Sequence, residues 1–136
     1  MSVHPGSCRC GGVSVTAFGK PHFKGFCHCD DCRRSNGAPI VSFAGFEAST
    51  IEWKSRETLA EWRNGEFARH FCKACGSPVA YTDDQLPEVI FFYVGFMAEP
   101  EAFPPDHHSY HSEKIGWLKL SDSLERFDET SYPRPQ

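Results

Sequence analysis

The sequence is short of every feature that would assign it to a membrane, a nucleic acid or a secretory route. No stretch approaches the roughly 18 consecutive apolar residues of a membrane-spanning helix. The amino terminus, Met1-Ser2-Val3-His4-Pro5-Gly6, lacks the apolar centre of a secretory signal. Clustered positive charge is equally scarce. No run of lysine or arginine exceeds the Arg33-Arg34 pair, and 14 Lys and Arg against 18 Asp and Glu give a formal charge of -4. A nucleic-acid or anionic-membrane partner needs a basic footprint that this chain does not provide. Internal repeats, low-complexity tracts and domain-separating linkers are missing as well. These absences predict a cytoplasmic protein with one domain over residues 1–136, no nucleic-acid partner and no membrane. With 40% hydrophobic and 14% aromatic content, the 136 residues can enclose a core.

What the sequence has is sulfur. Its seven cysteines fall into three groups: Cys8-Arg9-Cys10, Cys27-His28-Cys29-Asp30-Asp31-Cys32 and Cys72-Lys73-Ala74-Cys75. Disulfides are rare in a reducing cytosol, an odd count leaves one thiol over, and C-x-C is a poor spacing for a bridge within the pair. An iron-sulfur cluster competes, but neither usual ferredoxin spacing is present. Zinc accounts best for the pattern, because four thiolates fill a tetrahedral shell and three leave one position open.

The first and last pairs follow the two-plus-two knuckle that joins remote strand ends. Cys8, Cys10, Cys72 and Cys75 are therefore expected to hold a structural zinc. Such a site contributes roughly 10 kcal/mol or more of folding free energy in small zinc peptides. Cys27, Cys29 and Cys32 remain, with two readings. In one, a substrate thiol completes a zinc shell, loses its proton and adds to a small electrophile such as an aldehyde. In the other, a fourth protein ligand such as histidine closes a purely structural site.

Local patterning predicts mainly β structure with short connections. Strands are expected over 13–18, 22–26, 39–46, 50–53, 58–62, 67–71 and 78–82, and a buried strand over the apolar run 89–94. Asn64-Gly65 signals a hairpin that delivers Cys72 and Cys75 at the end of its second arm. Residues 30–36 suit a short helix capped by Asp30 or Asp31 and ended by Gly37. Residues 99–111 read as a loop, Trp117 as core, and the polar tail 131–136 as frayed.

The stretch from Cys27 to Gly37, with Cys8-Arg9-Cys10-Gly11-Gly12 before it and Phe71-Cys72-Lys73-Ala74-Cys75-Gly76-Ser77-Pro78 after it, resembles the glutathione-dependent formaldehyde-activating enzyme family. That family also includes centromere protein V. Val94-Gly95 and His108 through Lys114 to Trp117 match its carboxy-terminal pattern. The resemblance implies a β-tent of antiparallel sheets pinned by zinc, with few short helices. It implies two zinc ions per chain, a structural one on Cys8, Cys10, Cys72 and Cys75 and a catalytic one on Cys27, Cys29 and Cys32. The implied activity is that of a carbon-sulfur lyase, joining the small-molecule thiol glutathione to formaldehyde as S-hydroxymethylglutathione. Phe96-Met97-Ala98 stands where many members carry threonine, leucine and aspartate, which bears on glutathione specificity.

The competing function is a non-catalytic, zinc-stabilised binding module of the same fold. For substrate binding the candidates are Arg33, Arg34 and His108. The arginines could offset the thiolate charge or bind a substrate carboxylate, against the plainer reading of exposed side chains. His108 or His111 could be a fourth ligand or a proton shuttle, against that of surface histidines. His28, between two ligands, is expected to point away from the metal.

Overall fold

The computed structural model describes residues 2–134. Eleven strands follow one another along the chain among these residues: β1 (Val3–Ser7), β2 (Val13–Phe18), β3 (Phe23–Cys27), β4 (Val41–Glu47), β5 (Ile51–Arg56), β6 (Leu59–Asn64), β7 (Phe67–Cys72), β8 (Pro78–Asp83), β9 (Val89–Tyr93), β10 (His107–Ser109) and β11 (Glu125–Arg126). One α-helix, α1 (Asp30–Asn36), lies between β3 and β4. A three-stranded sheet has the order β1-β2-β5, and an eight-stranded sheet has the order β11-β10-β3-β4-β9-β8-β7-β6. The chain is thus mainly β, as its patterning predicts.

Period-two alternation explains how the sheets pack. In β2, Val13, Val15 and Ala17 are buried while Ser14, Thr16 and Phe18 are partly exposed. In β4, Ala44 and Phe46 turn to one face and Val41 and Phe43 to the other. The large sheet therefore separates two cores. Phe46, Phe92, Phe96 and Phe103 join Val13 and Val15 beneath the small sheet. On the opposite face, Phe43, Phe91 and Tyr93 pack with the sulfurs of Cys27 and Cys32. With both faces covered, β9 is buried along its whole length, which is why its sequence runs apolar without alternating.

The β6–β7 hairpin forms where Asn64-Gly65 predicts it. Asn64 pairs with Phe67, so Gly65 and Glu66 make a two-residue loop, and Gly65 takes the positive φ of 61° that the first position of a type II′ turn demands. Gly37 ends α1 in the left-handed conformation, as expected.

Three expectations need correction, and one strand has no counterpart in the sequence reading. The cap of α1 is Cys29 rather than Asp30 or Asp31, its sulfur accepting the Cys32 N–H at 3.3 Å. Residues 3–7 form a strand despite Pro5 and Gly6. An edge strand tolerates proline, and a Cβ on Gly6 would lie 2.8 Å from the Phe96 ring. The stretch expected as a loop holds β10, which runs parallel to both β3 and β11, so the large sheet is mixed rather than wholly antiparallel. Trp117 is 69% exposed and not part of the core.

The tail is also anchored where fraying is expected. Tyr132 packs edge-on against Phe91 with ring centroids 5.2 Å apart, and Arg134 Nε reaches Asp83 Oδ2 at 2.6 Å. Pro135 and Gln136, the end of that tail, lie outside the described residues. No helix among the described residues is long and apolar enough to cross a membrane.

Candidate metal centres

The turn after β1 supplies Cys8 and Cys10, and the end of β7 with its following turn supplies Cys72 and Cys75. These four sulfurs lie within 4.8 Å of one another. Cys10 Sγ is 3.7 Å from Cys8 Sγ and 3.6 Å from Cys72 Sγ. A tetrahedron with metal–sulfur bonds of about 2.3 Å has edges of about 3.8 Å, so the quartet already has the dimensions of a zinc shell. A disulfide would need about 2.05 Å, and all seven cysteines are free.

Donors surround this quartet. The Val13 N–H reaches Cys8 Sγ at 3.3 Å and the Cys75 N–H reaches Cys72 Sγ at 3.4 Å. The Ser77 hydroxyl, 3.2 Å from Cys75 Sγ, helps push that thiol down to about 5, and the Thr58 hydroxyl lowers Cys72 in the same way. Hydrogen bonds of this kind favour the thiolate form that binds metal.

The second group is built at the join of β3 and α1. Cys27 ends the strand, Cys29 caps the helix and Cys32 lies in its first turn, with their sulfurs within 4.8 Å of one another. Among the described residues, no histidine or carboxylate joins this cluster as a fourth ligand. The three sulfurs share their protons unequally. Hydrogen bonds from Cys27 and Cys32 push Cys29 down to about 2; the contact with Cys29, against a lowering contact with Cys32, pushes Cys27 up to about 12, and contacts with Cys27 and Cys29 raise Cys32.

Beside this trio stands a residue that the sequence does not single out. Arg69 on β7 is 8% exposed. Its two Nη atoms lie 3.4 and 3.5 Å from Cys32 Sγ, and it donates to Asp31 Oδ2 at 2.6 and 3.0 Å and to the Tyr93 hydroxyl at 3.1 Å. Its guanidinium also lies 4.5 Å from the Tyr81 ring centroid. Burial opposes the charge, and Cys32 and Tyr93 more than restore it. The signal in the sequence is weak: the hairpin puts Phe67, Arg69 and Phe71 on one face of β7, but not which face turns inward.

Arg33 and Arg34 are placed differently. They pair with Asp30 at 3.7 and 2.9 Å, and neither lines the cavity at the trio. Arg34 borders a separate depression with Asp31, Ser35 and Arg69. Arg34 lies on the outer face of the helix with 78% exposure, whereas Arg33 is half-buried at 23%.

His108 is no surface residue, with 0% exposure, and it too stays outside the cavity. Its pairing opposite Phe26 buries it, and its Nδ1 lies 2.8 Å from His28 Nε2. Its Nε2 lies 3.0 and 3.2 Å from the two Asp122 carboxylate oxygens. His28 thus turns toward His108, and burial pushes it down to about 4.

The trio opens onto a cavity of about 510 Å³. Phe23, Phe43, Tyr81, Phe91, Tyr110 and Tyr132 line it together with charged side chains. Residues 3–113, which include all seven cysteines, match the family described as glutathione-dependent formaldehyde-activating enzyme. The chain belongs to that family.

No curated protein matches it significantly. A solved structure, the crystal structure of a Rhodobacter sphaeroides protein, resembles this family member with a TM-score of 0.54 and 24% identity. It covers 69% of this chain and 87% of the other, a likeness of fold alone. The family match stops short of Asp122 and of the tail carrying Tyr132 and Arg134, although both pack against residues within it.

Proposed function

We propose that the protein is a zinc-dependent enzyme of carbon-sulfur lyase type, forming and cleaving the adduct of a thiol with a small aldehyde such as formaldehyde. The observation that carries this reading is the cysteine trio on the wall of an aromatic cavity, without a fourth protein ligand among the described residues. Membership of the family supports it, and points to glutathione as the thiol its members use.

The residues divide into two roles. Cys8, Cys10, Cys72 and Cys75 would hold a structural zinc that ties the β1–β2 turn to the end of β7. Cys27, Cys29 and Cys32 would hold a second zinc, which when bound supplies positive charge favouring ionisation of a substrate thiol. Arg69 keeps Cys32 in place and offsets the excess negative charge of three thiolates around a divalent ion. Phe43, Phe91 and Tyr81 would give the aldehyde an apolar wall to rest against. In the addition, the thiol proton is lost and a carbon-sulfur bond forms. The carbonyl π pair moves to oxygen, which takes up a proton, so no oxidant or reductant is needed. A cytoplasmic location, where thiols stay reduced, suits seven free cysteines.

The test is exchange NMR on formaldehyde, glutathione and their adduct, with zinc-replete protein. Wild type is expected to accelerate exchange above the uncatalysed rate, and Cys29→Ser to abolish the acceleration. If neither glutathione nor a simpler thiol is accelerated, the proposal fails.

A further inference from the structure

We infer that the cavity beside Cys27, Cys29 and Cys32 selects a small, uncharged thiol with an aromatic or aliphatic body over a thiol bearing carboxylates. This rests on the reading of that site proposed above, and adds which thiol the walls accept.

The first ground is the fate of the positive charges. A tripeptide thiol such as glutathione carries two carboxylates, which need cationic partners inside a site. Two cationic side chains line this cavity, Arg69 and Arg134, and both are already engaged. Arg69 is held by Asp31, Cys32 and Tyr93 and lies over Tyr81. Arg134 donates from Nε to Asp83 Oδ2 at 2.6 Å, and from Nη2 to Asp83 Oδ1 at 3.1 Å and Glu66 Oε2 at 3.2 Å. Asp83 is only 2% exposed, so releasing Arg134 to a ligand would leave a buried carboxylate unpaired.

The second ground is the remaining charge. Of the four carboxylates lining the cavity, Asp31 and Asp83 are partners of its two arginines and Asp30 pairs with Arg33 and Arg34, which leaves Glu113 without an ion pair among the described residues. Three thiolates around a divalent ion add a further net negative charge. A carboxylate-bearing thiol brings its own negative charges beside Glu113 and the trio, where like charges repel. A neutral thiol brings no such charge on its body.

The third ground is shape. The Phe23 ring meets Phe91 edge-on at 5.3 Å, Tyr132 meets Phe91 edge-on at 5.2 Å, and the Phe23 and Tyr132 centroids lie 6.0 Å apart, so the three rings form one cluster in the wall. Rings set at right angles present both faces and edges, which suits a planar or aliphatic body. Tyr132 and Arg134, which complete this wall, lie beyond the stretch that matches the family. The family's use of glutathione therefore does not speak for this part of the wall.

The test compares benzyl mercaptan with glutathione on the zinc-replete full chain, under anaerobic conditions, by calorimetry. Benzyl mercaptan is expected to bind at least tenfold more tightly. Tyr132→Ala is expected to weaken benzyl mercaptan by about threefold to tenfold, the scale of one lost aromatic contact, and to change glutathione less than twofold. Glu113→Lys, an exposed substitution at the rim, should narrow the preference by strengthening glutathione. Glutathione binding as tightly as benzyl mercaptan in the wild type would overturn the substrate class and leave the thiol-aldehyde reading standing. Binding of neither thiol to protein with both metal sites filled would overturn both.

Discussion

Arg69→Met is the perturbation whose consequences the structure defines most closely. The substitution keeps an unbranched side chain of similar reach and removes a guanidinium in contact with Cys32 Sγ, at 3.4 and 3.5 Å. Two unit charges about 4 Å apart interact by about 4 kcal/mol at an effective dielectric of 20, which sets a ceiling. The net effect is smaller, because the guanidinium charge is shared with Asp31, whose side chain is 58% exposed and regains water when its partner is lost. Groups that support metal ligands from behind are commonly worth 10- to 100-fold in metal affinity, about 1.4 to 2.7 kcal/mol. Zinc affinity at the trio should fall by that factor at pH 7, while the quartet of Cys8, Cys10, Cys72 and Cys75 keeps its own. Arg69→Lys should recover part of the loss, since it restores charge without the planar fork. Competition against a chromophoric chelator, following two successive zinc-release steps, reads both sites in one titration. A trio affinity within twofold of wild type, or equal weakening at both sites, would refute the role given to Arg69.

Three further outcomes follow from the same structure. Cys72→Ser should unfold or loosen the whole chain, whereas Cys29→Ser should leave a cooperative fold with one zinc fewer; thermal melting with metal analysis separates them. Phe92→Ala, at a fully buried ring stacked on Phe96 at 5.7 Å, should cost about 3–5 kcal/mol in denaturant unfolding. Burial opposes ionisation of Asp122, but hydrogen bonds from His108 and the Leu124 N–H outweigh it and hold the carboxyl down to about 2. A folded value below the unfolded one stabilises the protein above about pH 4, and that contribution disappears as the pH falls through 2. Carbon-detected NMR should find Asp122 titrating near 2 in wild type and nearer the usual carboxylate range in His108→Leu.

The parts of this account that the sequence discloses are those governed by local spacing. Cysteines one to three residues apart identify ligand groups because a short turn can direct both sulfurs at one point. Asn64-Gly65 marks a hairpin for an equally local reason, and that hairpin delivers Cys72 and Cys75 to Cys8 and Cys10. The all-apolar run in β9 shows a strand covered on both sides. What stays hidden depends on distant partners. Arg69 lies 37 residues from Cys32, and only the pairing of β7 with β8 sets it there. Arg33 and Arg34 lie close to the sulfurs in sequence yet stay out of the cavity, because adjacent residues of a helix diverge. His108 is concealed because β10 adds parallel to β3, a pairing with no short-range signature, and Tyr132 because its anchors lie on β3 and β9. Charge and aromatic content along the chain are visible, but which of them converge on one cavity is decided by the sheet.

The most direct test of two metal centres of different kind is anomalous scattering at the zinc edge from crystals grown in excess zinc. The account predicts two ions per chain, one bound by the sulfurs of Cys8, Cys10, Cys72 and Cys75. The other is bound by those of Cys27, Cys29 and Cys32, with a non-protein fourth ligand directed into the aromatic cavity. A single ion at the quartet, or a second ion whose shell is closed by a side chain of the protein, would contradict it.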